Sequence, residues 1–512
     1  MTSPLAAPRA RLTPEERRRA RTEDVTSVLG ALRDPRRLRT EVLAGLVVAL
    51  ALIPEAISFS IIAGVDPRLG LFASFTMAVT IAFLGGRPAM ISAATGAVAL
   101  VIAPVVREHG MDYFIATVIL AGIVQVLLGV LGVARLMRFI PRSVMVGFVN
   151  ALAILIFVAQ LPHLTGVSWI VYAMVAAGIA VIVLLPRITT VVPAPLVTIV
   201  VLTAVTVAFA LDVPDVGDQG ELPESLPALF VPDVPLTLET LQIIAPYAVA
   251  MALVGLMESL MTAKLVDDVT DTRSDKTRES WGQGVANIVT GFFGGMGGCA
   301  MIGQTMINVK ASGARTRIST FLAGVFLLIL VVGLGDVVAT IPMAALVAVM
   351  VMVSVGTFDW HSVRPATLRR MPRSETLVML STVAVTVVTN NLAYGVVTGV
   401  IVAALMFVRR VAHLTEVVDV AHPDEDTRVY AVRGELLWAS SNDLVHQFDY
   451  VGDPGNVVID LSDAHVWDAS TVATLDAITT KYAAKGKTAT IIGLDEASAA
   501  RHGRLAGHLA AH

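Results

Sequence analysis

The sequence predicts an α-helical polytopic membrane protein that ends in a small α/β domain. Three observations predict it. Of 512 residues, 55% are hydrophobic and 15% are charged, where soluble domains carry roughly 25% charged residues. Mean hydropathy is +0.75. Long apolar runs fill the chain from Glu41 to Arg410, and strand-like alternation begins only after Arg410. Two carboxylates, Glu55 and Glu258, lie inside apolar runs, where an ionised group costs at least ~2.5–3.5 kcal/mol. The expected division is a basic cytosolic segment over 1–39, a transmembrane domain over 40–410, a linker over 411–425 and a folded tail over 426–512.

The first forty residues are arginine-rich: Arg9, Arg11, Arg17, Arg18, Arg19, Arg21, Arg33, Arg36, Arg37 and Arg39. They lack the apolar core and small-residue cleavage site of a signal peptide. Basic flanks beside a first span are commoner than nucleic-acid-binding runs, so no nucleic acid is expected. The net charge of −4 says little, because sign is segregated along the chain. Cys299 is the single cysteine, which excludes an intrachain disulfide and a cysteine-cluster metal site.

A helix needs about 20 apolar residues to cross ~30 Å of hydrocarbon. Twelve runs approach this: Glu41–Gly64, Leu69–Gly85, Tyr113–Val133, Ser143–Leu161, Trp169–Leu185, Pro195–Leu211, Leu241–Thr262, Trp281–Phe293, Ile318–Leu334, Pro342–Val355, Leu377–Val388 and Tyr394–Val408. Several are short enough to imply tilt or partial re-entry. Two shorter segments, Thr95–Val106 and Ile302–Val309, begin in small or polar residues and bring the total to fourteen.

Basic residues test this count. Arg87, Arg135, Arg138, Arg142, Arg187, Lys264, Arg273, Lys276, Arg278, Lys310, Arg315, Arg317, Arg364, Arg369, Arg370, Arg373, Arg409 and Arg410 fall after even-numbered segments. The loop Asp212–Thr240, after the seventh, has no Lys or Arg and carries Asp212, Asp215, Asp218, Glu221, Glu224, Asp233 and Glu239. This alternation follows the positive-inside rule and puts both termini in the cytoplasm.

The short segments are third and tenth, hence third in each half of a seven-plus-seven arrangement. Halves with an odd number of segments have opposite topology. Matching interrupted segments in inverted halves point to a transporter's binding site. The approaches are Gly85-Gly86-Arg87-Pro88 through Thr95-Gly96, and Gly294-Gly295-Met296-Gly297-Gly298-Cys299-Ala300-Met301. A helix that starts in mid-membrane has unpaired N–H groups and roughly half a positive charge at that end. Two such ends facing each other hold an anion without a basic side chain. Close packing through small residues is the alternative reading. Glu258 and Glu55 are near-equivalent in the two halves. Each is either a coupling group on a solute or proton path or a structural carboxylate bonded to a neighbouring helix. Thr262 and Phe59 lie one turn beyond them.

Ile53-Pro54-Glu55 through Ala63-Gly64-Val65-Asp66-Pro67 and Gly70-Leu71 resembles the first-helix signature of the sulfate permease family (SulP/SLC26). Glu258-Ser259-Leu260 through Asp267, Gly282-Gln283-Gly284, Asn287, Gly294-Gly295 and Gly313-Ala314-Arg315-Thr316 is similar to that family's second-half core. The resemblance implies fourteen segments in inverted repeats, a UraA-like core and gate, an elevator-like mechanism and a homodimer. It implies an anion site of Thr95, Gly96, Ala300, Met301, Ile302 and Gly303, with Glu55 and Phe59 facing it and Glu258 with Thr262 at the coupling position. Sodium-coupled relatives have Asp at the acidic position and a hydroxyl where this chain has Ile302. An isoleucine cannot ligate sodium, so a proton is the expected coupling ion. Vertebrate relatives often have an arginine where this region reads Gln304-Thr305. No cofactor or metal is expected.

In the tail, Arg428–Leu437, Asn456–Leu461 and Thr488–Leu494 read as strands and Ser470–Ala484 as a helix, the pattern of an α/β domain. Asp468-Ala469-Ser470-Thr471 resembles the phosphorylation loop of STAS domains, which end this family's chains and could bind a regulatory partner. Ser470 matches the modified serine there; the plainer reading is that it caps the helix.

The expected function is secondary transport of a small anion across the plasma (inner) membrane, with proton symport. Bicarbonate, sulfate or a related oxyanion is the leading substrate; a dicarboxylate symporter or an anion exchanger is the near alternative. An anion channel would want a continuous wet pore, and a signalling protein would act through its tail. No metallohydrolase, nucleophile-elbow or nucleotide-binding motif is present, so no enzymatic activity is expected.

Overall fold

The computed structural model describes residues 25–132, 140–189, 193–223, 225–412, 415–424 and 426–508. Arg9 to Arg21, Arg135, Arg138 and Glu224 lie outside the described residues. The chain forms two units, Met1–Gly399 and Val400–His512.

Each of the fourteen expected segments carries helix. In order these are Pro35–Ala63, Pro67–Leu84, Gly96–His109, Met111–Val130, Arg142–Val158, Trp169–Leu184, Ala194–Ala208, Leu238–Thr270, Lys276–Phe292, Ile302–Met306, Arg317–Gly333, Met343–Thr357, Arg373–Thr389 and Leu392–Ala412. Among the described residues, seven helices are long and apolar enough to cross a membrane, and the seventh, eleventh and twelfth segments are shorter apolar helices. The third and tenth are each preceded by a two-residue strand, β1 (Ser92–Ala93) and β2 (Cys299–Ala300).

The helix pairings repeat under a shift of seven. The fourth segment packs on the ninth as the eleventh packs on the second. The first packs on the eleventh as the eighth packs on the fourth. The fifth packs on the thirteenth as the twelfth packs on the sixth. Such reciprocal pairing is what two inverted repeats produce. Two groups result, the first four segments with the eighth to eleventh, and the fifth to seventh with the twelfth and thirteenth.

Loop contacts sort by parity. Arg87, after the second segment, donates to Asp267 at the end of the eighth (3.0 Å). The backbone N–H groups of Arg315 and Thr316, after the tenth, donate to Glu41 at the start of the first (2.7 and 3.0 Å). Arg68 follows the first segment and Arg107 ends the third, so basic residues are not confined to even-numbered loops. Arg68 forms an ion pair with Glu221 of the acidic loop, so its charge is compensated there.

In the second unit, β3 (Glu416–Asp424), β4 (Thr427–Leu436), β5 (Asn456–Val466) and β6 (Thr488–Ile492) form one sheet in that order. The β3–β4 pair is antiparallel and the other two are parallel. Val432, Ile459, Leu461, Val472, Leu475 and Ile478 are buried in its core. The expected linker over 411–425 is therefore wrong for most of its length. Glu416–Asp424 is an edge strand, and Val417, Val418 and Val420 give it the β-branched enrichment of a strand. Asp453 is buried and accepts hydrogen bonds from Tyr430 (2.9 Å), Tyr482 (2.5 Å) and Arg428 (2.9 Å). Burial and this carboxylate push the Tyr430 phenol up to about 12.

The capping reading of Ser470 is also overturned. The cap of the helix Ala469–Ala483 is Asp468, whose carboxylate accepts from the Thr471 N–H at 2.9 Å. Ser470 is exposed on the first turn.

Candidate functional site

The site begins with two stretches of chain that stop being helix in the middle of the bundle. β1 and β2 lie antiparallel, with Ser92 opposite Ala300 and Ala93 opposite Cys299. All four residues are buried. An antiparallel pair sends its two following helices in opposite directions, so two helix beginnings meet at one place. Glycine is required here. A Cβ on Gly298 would lie 2.0 Å from the carbonyl oxygen of Ala93.

Unwound backbone at membrane depth needs partners, and side chains supply them. Asn287 donates to the Gly298 carbonyl (3.0 Å) and accepts from its N–H (2.8 Å). The Gln125 side-chain oxygen accepts from the Asn287 side-chain amide (2.8 Å). Ser259 accepts from the Ala300 N–H at 3.1 Å. Thr305 accepts from the Ile91 N–H at 3.0 Å, and the Met301 N–H donates to the Ile91 carbonyl at 2.9 Å. Glu279 accepts from the N–H groups of Gly86 (2.7 Å) and Arg87 (2.9 Å), and Gln283 joins it to Ser92. Glu279, Gln283 and Asn287 are four residues apart on one face of the ninth segment, a stripe that sequence spacing could have singled out.

The two helix beginnings differ. Thr95 caps the third, accepting from the Val98 N–H at 3.4 Å. No side chain caps the tenth, whose N-cap residue is Met301. Phe59 closes over the third: a Cβ on Gly96 would lie 2.8 Å from its ring. Gly303 is exposed and has open space where a Cβ would be. After one turn the tenth segment widens to a π-turn over Ile307–Ala311, a feature frequent at functional sites.

Both membrane carboxylates are held by the tenth segment or its approach. Glu258 accepts from the Cys299 thiol at 3.0 Å, and the sulfur lies 3.1 Å from the Thr95 hydroxyl. Because the thiol S–H is directed at Glu258, the Thr95 hydroxyl is the donor to sulfur. Glu55 accepts from the Gln304 amide at 2.8 Å. Thr95, Gly96, Phe59, Glu258, Glu55, Ala300, Met301, Ile302 and Gly303 thus converge around the strand pair. Thr262 does not join them through its hydroxyl, which donates to the Glu258 backbone carbonyl at 2.8 Å. Cys299 and Gln304 carry contacts that sequence reasoning did not assign.

The sulfate permease family profile matches residues 38–182 and 169–382, which includes the strand pair and both carboxylates. The chain belongs to the sulfate permease family. The STAS domain profile matches residues 418–506. The chain is 56% identical to YbaR of Bacillus subtilis over 90% of its own length and 95% of that protein. It is 25% identical to the bicarbonate transporter BicA of Picosynechococcus over 86% of each chain. The murine solute carrier 26 family member A9 anion transporter, solved in an inward-facing state, has the same fold (TM-score 0.77, 15% identity, 98% of this chain and 92% of that one).

Proposed function

We propose that this permease is a secondary transporter that moves a small anion, bicarbonate, sulfate or a related oxyanion, together with a proton. The single observation that supports it best is the meeting of two helix beginnings at β1 and β2, beside Glu258 and open at Gly303. Each helix beginning supplies roughly +0.5 charge and unpaired N–H groups. Together they balance about one negative charge with no Lys or Arg in the site. Family membership, the bicarbonate-transporter name of one relative and the anion-transporter name of one structural neighbour point to the same substrate class.

Glu258 is the coupling group in this reading. An ionised carboxylate beside the site repels the anion, and a proton on it removes the repulsion. The two packing groups of helices support an elevator-type alternating access, in which the group holding the strand pair moves against the other. The protein acts as a homodimer in the cell membrane with both termini in the cytoplasm. Its tail is a regulatory module, with exposed Ser470 as the modifiable position. Uptake into proteoliposomes tests this. Labelled bicarbonate and sulfate should accumulate under an inward proton gradient. Uptake driven by sodium and indifferent to pH would refute the coupling, and no uptake of any small anion would refute the function.

A further inference from the structure

The Gln304 side chain is 2% exposed. Its amide nitrogen is committed to Glu55 at 2.8 Å, and its amide oxygen is buried without a hydrogen-bond partner. That orientation follows from the chemistry, because a carboxylate can only accept and the nitrogen must face it. A buried acceptor left unmade costs about 1–3 kcal/mol. An orphan of this kind calls for a donor that arrives later. Gln304 sits on the first turn of the uncapped tenth helix, next to Gly303 and its open space. At the helix beginnings, the thiol of Cys299 is committed to Glu258 and the hydroxyl of Thr95 to sulfur and to the Val98 N–H; the Gln283 oxygen is also without a partner, on the ninth segment behind β1.

We propose that Gln304 determines specificity by accepting a hydrogen bond from the substrate, so that the site selects anions that carry a hydrogen over anions that carry none. This deepens the transport function proposed above and rests on it. The helix N–H groups take the charged oxygens of the anion. The Gln304 oxygen takes its O–H. A hydrogen carbonate ion satisfies both kinds of partner. A fully deprotonated oxyanion or a halide leaves the Gln304 oxygen unpaired and adds a repulsive contact, in a site that already contains Glu55 and Glu258. Sites built around a hydrogen bond to a substrate hydroxyl reject analogues that lack it.

Bicarbonate and nitrate separate this from size and charge. Both are planar monoanions of four heavy atoms, and only bicarbonate has a hydrogen to donate. In proteoliposomes containing the full chain, labelled bicarbonate uptake is competed with each anion at pH 8. Bicarbonate should compete about tenfold more strongly than nitrate, the order set by one buried hydrogen bond made or left unmade. Gln304→Met keeps the length and removes the acceptor. It should bring the two anions to within about twofold, by weakening bicarbonate and relieving the repulsion on nitrate, while loss of the amide bond to Glu55 acts on both anions alike. Equal competition in the native protein overturns the proposal, as does a Gln304→Met protein that keeps the preference. The native comparison decides the matter even where the variant fails to fold. Transport of sulfate with no response to bicarbonate overturns this inference and leaves anion transport standing; no uptake of any anion removes both.

Discussion

Replacing Glu258 with Gln tests the coupling mechanism most directly, and the structure sets the size of the effect. The carboxylate and the Thr95 hydroxyl lie on opposite sides of one sulfur, at 3.0 and 3.1 Å, so the charge is within about 6 Å of the third helix beginning. Two like charges about 6 Å apart at an effective dielectric near 20 repel by about 3 kcal/mol. That corresponds to roughly a hundredfold in anion affinity. In the proposed mechanism, protonation of Glu258 should therefore strengthen anion binding by about this factor, and the anion should strengthen proton binding equally by reciprocity. Glu258→Gln is permanently neutral. It should bind anion tightly at every pH and lose the pH dependence. With one proton moved per anion, a gradient of one pH unit should give the native protein about tenfold accumulation. The variant should give none, while counterflow of labelled anion persists. The assay is paired accumulation and counterflow in the same vesicles. A Gln variant that still accumulates anion tenfold with an unchanged pH profile refutes the reasoning.

Gly303→Val should raise KM at least tenfold with normal expression, because the new side chain fills open space at the uncapped helix; Gly298→Ala should instead reduce folded yield, because its Cβ has no room beside Ala93. Cys299→Ala removes the donor to Glu258 and should shift the pH profile of uptake, whereas Cys299→Ser keeps a donor and should restore it; identical profiles for both variants would show that the thiol only fills space. In the tail, Asp468→Ala should cost about 1 kcal/mol and Ser470→Ala close to nothing, because the former is the cap, as read by protease resistance of residues 416–508. Tyr430 is neutral when folded up to about pH 12 but titrates near 10 when unfolded, so its contribution is present below pH 10 and is lost as pH rises through 12; the alkaline loss of stability in that window should shrink in Asp453→Asn without vanishing, because burial is the larger cause of the shift.

The membrane architecture was legible because its signals are long-range and redundant. Apolar length gave twelve segments, the small and polar starts of two shorter runs gave the other two, and most basic residues fitted that count, Arg68 and Arg107 excepted. The partners of individual polar groups were less legible. Cys299 read as the absence of a disulfide, yet it is the contact that joins Glu258 to Thr95. Gln304 read as the lack of an arginine, yet it holds Glu55. Both contacts cross more than a hundred residues of chain or depend on a strand register that no local pattern states. In the tail, β3 was missed because its valines, Val417, Val418 and Val420, do not alternate and are followed by His422-Pro423-Asp424, which reads as a turn. Ser470 was the weaker reading of the cap because Asp468, two residues earlier, offers a better-placed acceptor.

The two halves supply a nearly symmetric scaffold, and the chemistry lies in where they differ. β1 and β2 pair as equals, and each leads into a helix that starts in the bundle interior. A symmetric pair of helix beginnings would bind an anion without preference for either half. Here the third is capped by Thr95 and covered by Phe59, while the tenth has no side-chain cap and is open at Gly303. The two carboxylates differ in the same sense. Glu258 is held by a thiol, a weak donor that yields readily when a proton arrives. Glu55 is held by an amide, a stronger donor that keeps it in place. In the proposed mechanism, a weakly held acid beside the anion and a firmly held one across from it divide the work between coupling and shape. That division requires Glu258→Gln to abolish accumulation and Glu55→Gln to alter affinity while leaving accumulation intact, a difference the same vesicle assay resolves.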